Sequence, residues 1–257
     1  MAKMSVLIIT QARIGSTRLP NKILKPLNDE TILSLHIKRL KKVHLCNKII
    51  VATTFEKGVD QILKIVKESK VFYYQGSTNN VLERFYNAAK THTPDYIVRV
   101  TSDCPLIDAG LIDQVIAFTI DNELDYGSNT LKEHYPDGQD VEVFTFKALK
   151  KAYQSAQLET EKEHVTPYII NRSTFKGKNI FTADNFPSKI DYSAVRMTLD
   201  EPLDYIALNL LIDELGIDAN WEEYAQYLLN NSGKFLNQKI IRNEGYLNSL
   251  KKEKDGK

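Results

Sequence analysis

The chain has 257 residues, 42% of them hydrophobic, which suffices for one large buried core. Its 34 lysines and arginines balance 33 aspartates and glutamates, and a formal net charge of +1 supplies no overall field for nucleic acid or an anionic membrane. No apolar run reaches the roughly 18 residues of a membrane helix and the two cysteines lack metal-ligand spacing, so we expect a cytoplasmic protein without nucleic-acid or membrane partners.

The first half of the sequence alternates strand-like apolar runs with helical spacing of apolar residues. Strands are predicted at residues 5–10, 47–54, 71–75 and 96–101, and helices at residues 31–42, 59–67 and 111–120. Asp108 is the expected N-cap of the last of these helices. A further helix follows residues 76–78, with Thr78 or Asn79 as N-cap and a buried stripe of Val81, Leu82, Phe85 and Ala89. This alternation predicts an α/β protein whose sheet has helices on both faces.

The second half of the sequence changes character. Short strands predicted at 126–129, 142–146, 178–182 and 192–199 are separated by longer polar loops, with helices at 148–157, 162–171, 203–215 and 222–229. We expect one domain over residues 1–250, because no repeat, low-complexity tract or Pro/Gly linker divides it. Residues 1–122 then form a nucleotide-binding half, residues 123–200 the substrate side and residues 201–250 the closing helices. Residues 251–257 are predicted to be a solvated, disordered tail.

A basic loop directly follows the first predicted strand and carries glycine and hydroxyl side chains between its cations. Gly15 permits close approach of the backbone, and the cations supply charge for phosphate oxygens. The loop is neither a Walker motif nor a dinucleotide fingerprint, because the required glycine spacings are absent. The alternative is a basic loop on a solvated surface. The nucleotide-binding candidates here are Gln11, Ala12, Arg13, Gly15, Ser16, Thr17, Arg18 and Lys22.

The pattern Arg-x-Thr-x-Asp occurs twice at predicted strand ends, in residues 99–103 and 196–200. Strand side chains alternate, so Arg, Thr and Asp share a face if each segment is extended, and Asp lies at the carboxyl end. Ligands of open α/β sheets bind at that end. Asp103 and Asp200 together offer the few hard oxygen ligands that Mg²⁺ on a nucleoside triphosphate requires. The alternative is that each aspartate caps the helix that follows it.

An acidic segment at residues 137–142, together with residues 163–164, is the expected acceptor side. Gly138 suits a turn, and Asp140 and Glu142 fall on one face of the following strand. Such acids favour hydroxyls, amines or a cation, whereas a carboxylate-bearing sugar wants Arg or Lys. The alternatives are a simple turn with solvated acids and a structural role for the histidine. The substrate-binding candidates are Asp137, Gln139, Asp140, Glu142, His164 and Arg196.

Six stretches of the sequence together carry a resemblance to a known family. They are residues 11–22, 76–86, 99–105, 137–143, 163–168 and 195–204. In this combination the chain resembles the bacterial cytidylyltransferases that make CMP-activated acidic sugars, the acylneuraminate and ketodeoxyoctonate enzymes among them, and most closely their spore-coat-polysaccharide branch. The resemblance implies a three-layer α/β/α sandwich of the nucleotide-diphosphosugar-transferase type with a mainly parallel sheet. It also implies an enzyme that joins CTP to an acidic nonulosonic-type or related sugar and releases pyrophosphate.

The same resemblance implies roles for individual residues. The triphosphate would be held by Arg13, Ser16, Arg18 and Lys22, and Mg²⁺ by Asp103 and Asp200. Arg84 resembles a family arginine on the nucleotide side, with a surface cation as the alternative. The sequence departs from the branch at Asn80, where an acidic residue is usual.

Nucleotidyl transfer leaves little covalent chemistry to the protein, so catalysis is expected from positioning and charge stabilisation. A sugar hydroxyl would attack the α-phosphorus in line, with Arg18 and Lys22 stabilising the leaving pyrophosphate. The catalytic candidates are Arg18, Lys22, Asp103 and Asp200, with Mg²⁺ as cofactor and CTP and a sugar as partners. Two other functions compete: a glycosyltransferase of similar fold and a non-catalytic nucleotide-binding protein. The substrate side is also where an oligomer contact, such as that of a homodimer, would lie.

Overall fold

The computed structural model describes residues 4–16 and 18–255. Its strands are β1 (Val6–Gln11), β2 (Pro26–Leu27), β3 (Glu30–Thr31), β4 (Lys48–Thr53), β5 (Phe72–Gln75), β6 (Tyr96–Thr101), β7 (Tyr126–Ser128), β8 (Glu142–Thr145) and β9 (Ala183–Asn185). Its α-helices are α1 (Ile32–Leu40), α2 (Val59–Glu68), α3 (Val81–Lys90), α4 (Ala109–Asp121), α5 (Phe146–Ser155), α6 (Glu159–His164), α7 (Pro167–Asn171), α8 (Pro202–Leu215), α9 (Trp221–Asn230) and α10 (Glu244–Asp255).

Seven strands form one sheet in the order β5-β4-β1-β6-β8-β7-β9, while β2 and β3 pair as a small separate hairpin. The strands β5, β4, β1 and β6 are parallel to one another. Strand β8 runs antiparallel to both of its neighbours, and β9 is parallel to β7. The sheet is therefore mainly parallel, with strands of the nucleotide half and of the substrate half joined edge to edge.

Alternate side chains of β1 enter two different cores, which makes the fold three-layered. Val6 and Ile8 pack in a core with residues of α4, α8 and α9. Leu7 and Ile9 point the other way, into a core with residues of α3 and α5. A third cluster joins α1 and α2 to β4. The predicted α/β/α sandwich is confirmed, and within the described residues no helix is long and apolar enough to cross a membrane.

Several local predictions are confirmed by the structure. The first four predicted strands form, as do helices at all eight places where the sequence predicted one. Asp108 caps α4 by accepting a hydrogen bond from the backbone N–H of Leu111 at 2.9 Å. The buried stripe of α3 is confirmed, but its N-cap is Asn80, whose side chain accepts from the N–H of Glu83 at 2.9 Å. The position where the acidic residue is missing thus has a structural role of its own.

Other local predictions are wrong. Residues 178–182 and 192–199 form no strand and contribute only isolated bridges. The helix predicted over residues 162–171 is broken at Val165, whose φ of 71° cannot continue a right-handed helix. Residues 251–255 belong to α10 rather than to a disordered tail, while residues 256–257 lie outside the described part of the chain.

Candidate active site

The basic loop and the first aspartate start from adjacent points of the sheet. Gln11, the last residue of β1, pairs in parallel register with Thr101, the last residue of β6. Just beyond β6, the hydroxyl of Ser102 donates to the carbonyl oxygen of Gln11 at 2.7 Å and so links the ends of the two strands. Parallel strands deliver their carboxyl ends to one edge. The loop therefore faces Asp103.

The second aspartate is brought to the first by a direct backbone contact. The N–H of Leu199 donates to the carbonyl oxygen of Asp103 at 2.9 Å. Lys22, at the start of a short 3-10 helix of residues Lys22–Leu24, then lies between both carboxylates, with Nζ 2.7 Å from Asp103 Oδ2 and 2.8 Å from Asp200 Oδ1. The sequence prediction that these two aspartates converge on the basic loop agrees with this geometry.

Lys22 and Asp103 hold each other in their charged forms. Burial lowers the pKa of Lys22, but the nearby charges of Asp103 and Asp200 outweigh burial and hold that pKa well above its ordinary value. For Asp103, burial acts to raise the pKa, whereas the charge and hydrogen bond of Lys22 bring it well below its ordinary value. The cluster is thus a pair of carboxylates with one ammonium between them.

Neither carboxylate caps a helix. Glu201 is the N-cap of α8, and the backbone N–H groups of Asp200 and Glu201 both donate to Asp204 Oδ2 at 2.9 Å. The side chains of Asp103 and Asp200 accept from Lys22 instead. The capping alternative is therefore wrong for both aspartates.

A cavity of about 490 Å³ opens over the basic loop. Its lining includes the predicted nucleotide-binding residues Gln11, Ala12, Arg13, Gly15, Ser16, Arg18, Lys22 and Arg84. Thr17 lies outside the described residues. A Cβ at Gly15 would stand 2.7 Å from Glu56 Oε1, so a larger residue there would require the Glu56 side chain to move. The loop thus lines a cavity large enough for a small ligand rather than lying on an open surface.

Arg84 is the most unusual cation of this cavity. Its residue surface is 2% exposed, which rules out the surface-cation alternative. Nη1 donates to the carbonyl oxygen of Ser77 at 2.6 Å, Nε has no hydrogen-bond partner, and among the described residues no carboxylate lies within ion-pair distance. Burial, with the charge of Arg13, lowers the pKa of Arg84 to about 10. A buried guanidinium without a carboxylate is costly, and an anion in the cavity would offset that cost.

Arg18 lies at the mouth of the same cavity and meets three carboxylates. Its guanidinium is 3.2 Å from Asp200, 3.2 Å from Glu201 and 3.1 Å from Glu244 of α10. The Arg18 side chain is 36% exposed, so each of these ion pairs is weak. Arg18 can therefore exchange its partners at little cost.

A second cavity, of about 620 Å³, adjoins the first. Four residues line both cavities: Thr101, Asp103, His164 and Asp200. The second cavity also contains the predicted acceptor residues Asp137, Asp140 and Glu142. The carboxylate pair therefore lies where two adjacent ligands would meet.

Glu142 is fixed within the wall of the second cavity. It forms an ion pair with Arg99, and its Oε1 accepts hydrogen bonds from Tyr126 at 2.7 Å and from Thr166 at 2.6 Å. Gly138 has a φ of 106°, and a Cβ there would stand 2.7 Å from the carbonyl carbon of Met197. The acidic segment is thus a turn pressed against residues 195–198, and its acids line a cavity instead of facing bulk solvent.

Two predicted substrate-binding residues lie behind the cavity wall and line neither cavity. Gln139 is fully buried, accepts from the N–H of Asp108 and donates to the carbonyl oxygen of Leu106, both at 2.9 Å. Arg196 binds Asp204 in a bidentate pair at 2.8 Å and Asp137 at 2.6 Å. The structure places neither predicted side chain at a cavity, because tertiary partners already bind both. Arg196 positions Asp137 instead.

His164 is brought to the junction of the cavities, as predicted. Burial lowers its pKa, so the imidazole is neutral at pH 7. Its Nε2 is buried without a hydrogen-bond partner in the described part of the chain. A neutral nitrogen in this position can accept a hydrogen bond from a ligand.

Sequence reasoning missed Arg99 and a group of residues near the C-terminal end. Arg99, the arginine of the first Arg-x-Thr-x-Asp pattern, lines the second cavity where Arg196 of the second pattern does not. Four residues near the C-terminal end also line it: Arg242, Asn243, Tyr246 and Leu247. Arg242 binds Asp140 at 2.6 Å, and Tyr246 lies edge-on to His164 at 4.9 Å between ring centroids. The alternation in β6 could have identified Arg99; no local pattern singles out residues 242–247.

The carboxylate pair fits a magnesium ion that arrives with a nucleotide. Among the described residues no group of three or more His, Cys, Asp or Glu side chains could hold a metal by itself. Mg²⁺ in nucleotide sites, however, uses one or two carboxylates, with phosphate oxygens and waters completing its shell. Asp103 and Asp200 supply hard oxygen ligands around a point where the structure already places a cation, the ammonium of Lys22.

Cations beside paired carboxylates, at the carboxyl ends of a mainly parallel α/β sheet, are the arrangement of a nucleotidyltransferase. A family model described as cytidylyltransferase matches residues 7–219 of this chain. The chain belongs to that cytidylyltransferase family.

Similar proteins agree with this assignment. An uncharacterized protein of Methanocaldococcus jannaschii is 39% identical over 219 residues, which cover 84% of this chain and 87% of that protein. The spore coat polysaccharide biosynthesis protein SpsF of Bacillus subtilis is 32% identical over 219 residues, which cover 82% of this chain and 88% of SpsF. The solved structure of a cytidylyltransferase from Leptospira borgpetersenii, 34% identical, superposes with a TM-score of 0.85 and covers 93% of this chain and 100% of its own.

Proposed function

We propose that the protein transfers the cytidylyl group of CTP to a hydroxyl of a sugar, giving a CMP-sugar and pyrophosphate, in a reaction that depends on Mg²⁺. The observation that carries this proposal is the junction of two cavities at Asp103 and Asp200. A nucleotide over the basic loop and a sugar in the second cavity would meet there, with the reacting atoms beside the carboxylates.

The cations of the first cavity have distinct roles in this proposal. Arg84 gains in the nucleotide the anionic partner that it lacks among the described residues. Arg18 and Lys22 turn from carboxylates to phosphate oxygens and stabilise the negative charge that develops on the leaving pyrophosphate. Arg18 is suited to this exchange because its own side chain and that of its partner Glu244 are exposed.

Asp103 and Asp200 hold the metal that the nucleotide brings. Bound Mg²⁺ supplies charge neutralisation and polarisation of the phosphate at which the sugar hydroxyl attacks. Asp200 is kept in place from behind, since its N–H donates to Asp204, which Arg196 binds in turn. His164 offers its neutral Nε2 to a substrate hydroxyl at the junction.

The cellular role that we propose follows that of the Bacillus relative. SpsF is described as a spore coat polysaccharide biosynthesis protein. We place the present protein likewise in the supply of activated sugar for a surface polysaccharide. The free thiols of Cys46 and Cys104 suit the reducing cytoplasm, where CTP is available.

The test uses CTP labelled at the α-phosphate, Mg²⁺ and a small-molecule extract of the producing cells. We expect pyrophosphate release together with a labelled, phosphatase-resistant product that contains CMP. If the labelled phosphate is transferred from CTP without release of equimolar pyrophosphate, the reaction is a different transfer. If CTP binds but is not turned over with any extract fraction, the proposed function is contradicted.

A further inference from the structure

The backbone between α6 and α7 makes a strained turn beside the second cavity. Val165 has a φ of 71° and a ψ of −56°, and across it the N–H of Thr166 donates to the carbonyl oxygen of His164 at 2.8 Å. These angles, with a hydrogen bond between residues two apart, define the rarer and strained form of the γ-turn. A β-branched residue such as valine is especially disfavoured at positive φ. Thr166 adds strain, because its helical backbone angles are disfavoured before a proline.

Three contacts hold the turn in this conformation. The side chain of Val165 is fully buried in the core with residues of α3 and α5. Glu161 of α6, 1% exposed, pairs at 2.7 Å with Arg172, which follows α7, so this ion pair spans the turn. The hydroxyl of Thr166 donates to Glu142 at 2.6 Å. Strained backbone persists only where its surroundings enforce it, and it is concentrated at functional sites.

The turn brings two side chains to the same side of the chain. His164 and Thr166 both line the second cavity, and His164 lines the first cavity as well. In a continuous α-helix, residues two apart point about 200° apart around the axis and so face nearly opposite sides. The unbroken helix that the sequence predicted over residues 162–171 would therefore present only one of these side chains to the cavities.

We infer that Val165 is a positioning residue, whose strained turn directs His164 to the junction of the cavities and Thr166 to Glu142 at the same time. This inference rests on the proposed cytidylyl transfer and adds a residue that serves it without touching substrate. Groups that are already in place when the acceptor hydroxyl arrives need no reorganisation during the reaction. If the backbone relaxed at Val165, one of the two contacts would be lost.

The test compares Val165→Gly with Val165→Ala. Both remove the buried side chain, but only glycine adopts a positive φ without strain. Alanine is the more stabilising residue of the two where φ is negative, and we expect the opposite order here, with the Tm of Val165→Gly about 2–4 °C above that of Val165→Ala. The control pair is Lys70→Gly and Lys70→Ala, since Lys70 has a φ of 55°, is exposed and lines neither cavity. It should show the same order of Tm without a difference in turnover.

Two further measurements separate positioning from packing. In pyrophosphate release with CTP, Mg²⁺ and the cell extract at limiting dilution, Val165→Ala should be at least about tenfold slower than Val165→Gly, while the two KM values for CTP stay equal. In NMR titration with ¹³C-labelled histidine, the pKa of His164, which burial lowers in the wild-type protein, should rise towards its ordinary value in Val165→Ala and stay low in Val165→Gly. A role in packing alone would make glycine the more damaging substitution in every measurement.

Equal turnover of the two Val165 variants, a larger loss with glycine, or an unchanged pKa of His164 in Val165→Ala would each overturn the inference. If the wild-type protein releases no pyrophosphate, the proposed function is contradicted instead, and the order of Tm and the titration of His164 still decide the role of the turn. If neither variant folds, NMR of the wild-type protein decides. A strong nuclear Overhauser effect between the N–H and Hα of Val165 supports the strained turn, and a weak one, as at negative φ, overturns it.

Discussion

Replacement of Lys22 by methionine tests the charge arrangement at the centre of the site. Methionine keeps the length of the side chain but removes the ammonium that lies 2.7 and 2.8 Å from two carboxylates. Two charge-assisted hydrogen bonds contribute about 1.5–3 kcal/mol each when fully buried. Because Asp103 and Asp200 are 26% and 25% exposed, we take the lower end and expect a loss of about 3 kcal/mol in the free energy of unfolding.

That loss corresponds to a fall in Tm of about 6–12 °C for a chain of this size. The carboxylates left behind repel one another, so Mg²⁺ should restore part of the stability. Differential scanning calorimetry without Mg²⁺ and at Mg²⁺ concentrations raised in tenfold steps measures both effects. Lys64→Met is the control, because Lys64 is exposed and its ion pair with Glu68 is long, at 3.9 Å. The wild-type protein should gain less from Mg²⁺ than Lys22→Met does.

Two results would refute this reasoning. A Tm for Lys22→Met equal to that of the control would mean that the ammonium is not an essential partner of the carboxylates. Equal stabilisation of wild type and Lys22→Met by Mg²⁺ would mean that the metal does not bind where the ammonium lies.

Three further predictions concern neighbouring groups. Arg84→Met should lower the affinity for CTP tenfold to a hundredfold in calorimetric titration without lowering Tm, because it removes a buried charge that has no carboxylate among the described residues; a lower Tm with unchanged affinity would make Arg84 structural. Arg18→Ala should weaken CTP about tenfold to a hundredfold but CMP little, and Arg18→Lys should restore only part, since the ammonium lacks the bidentate fork; equal weakening of both nucleotides would place Arg18 at the α-phosphate or ribose. Burial lowers the pKa of His36 to about 4, against about 6.5 in the unfolded chain. The unfolded state therefore binds the extra proton, and the free energy of unfolding falls by up to about 3 kcal/mol as pH drops from 6.5 to 4. In urea unfolding, His36→Gln should show a flatter pH dependence of stability over that window, and an unchanged pH dependence would mean that His36 is not its source.

The strands and loop of the nucleotide half were predictable because each signal there is local. An apolar run such as β1 is buried on both faces, so its sequence alone identifies a parallel strand. Residues 192–199 show the limit of this reasoning. Val195, Met197 and Leu199 alternate as in a strand and are buried, but only Arg196 makes a bridge, to Asp137. An extended segment that is buried only by packing shows the same alternation of apolar residues as a strand of the sheet, so the sequence does not distinguish them.

The two copies of Arg-x-Thr-x-Asp show why the site was predicted only in part. Both aspartates converge on Lys22, as the pattern indicated. The two arginines differ in position. Arg196 forms a bidentate pair with Asp204 and lines neither cavity, whereas Arg99 lines the second cavity. Such a partner is a tertiary contact that spacing does not reveal.

The C-terminal helix was missed for a related reason. Its sequence is polar, with no strong apolar stripe to indicate burial. Its position comes instead from polar contacts with α6, in which Ser249 donates to Glu163 at 2.9 Å and Thr160 donates to Glu253 at 2.8 Å. Contacts between side chains that are far apart in the sequence leave no periodic signal in it.

The most direct test of the central proposal is the Mg²⁺ dependence of pyrophosphate release from CTP by Asp103→Asn and Asp200→Asn, with the acceptor purified from the wild-type product. Each variant keeps side-chain volume but removes one anionic ligand, and Asp218→Asn, an exposed partner of Lys42, serves as control. We expect turnover at limiting Mg²⁺ to fall about 10–100-fold or more in both variants, with far-UV circular dichroism unchanged and the control at wild-type rate. Wild-type rates in either variant at limiting Mg²⁺ would remove that aspartate from the metal site and contradict the proposed mechanism.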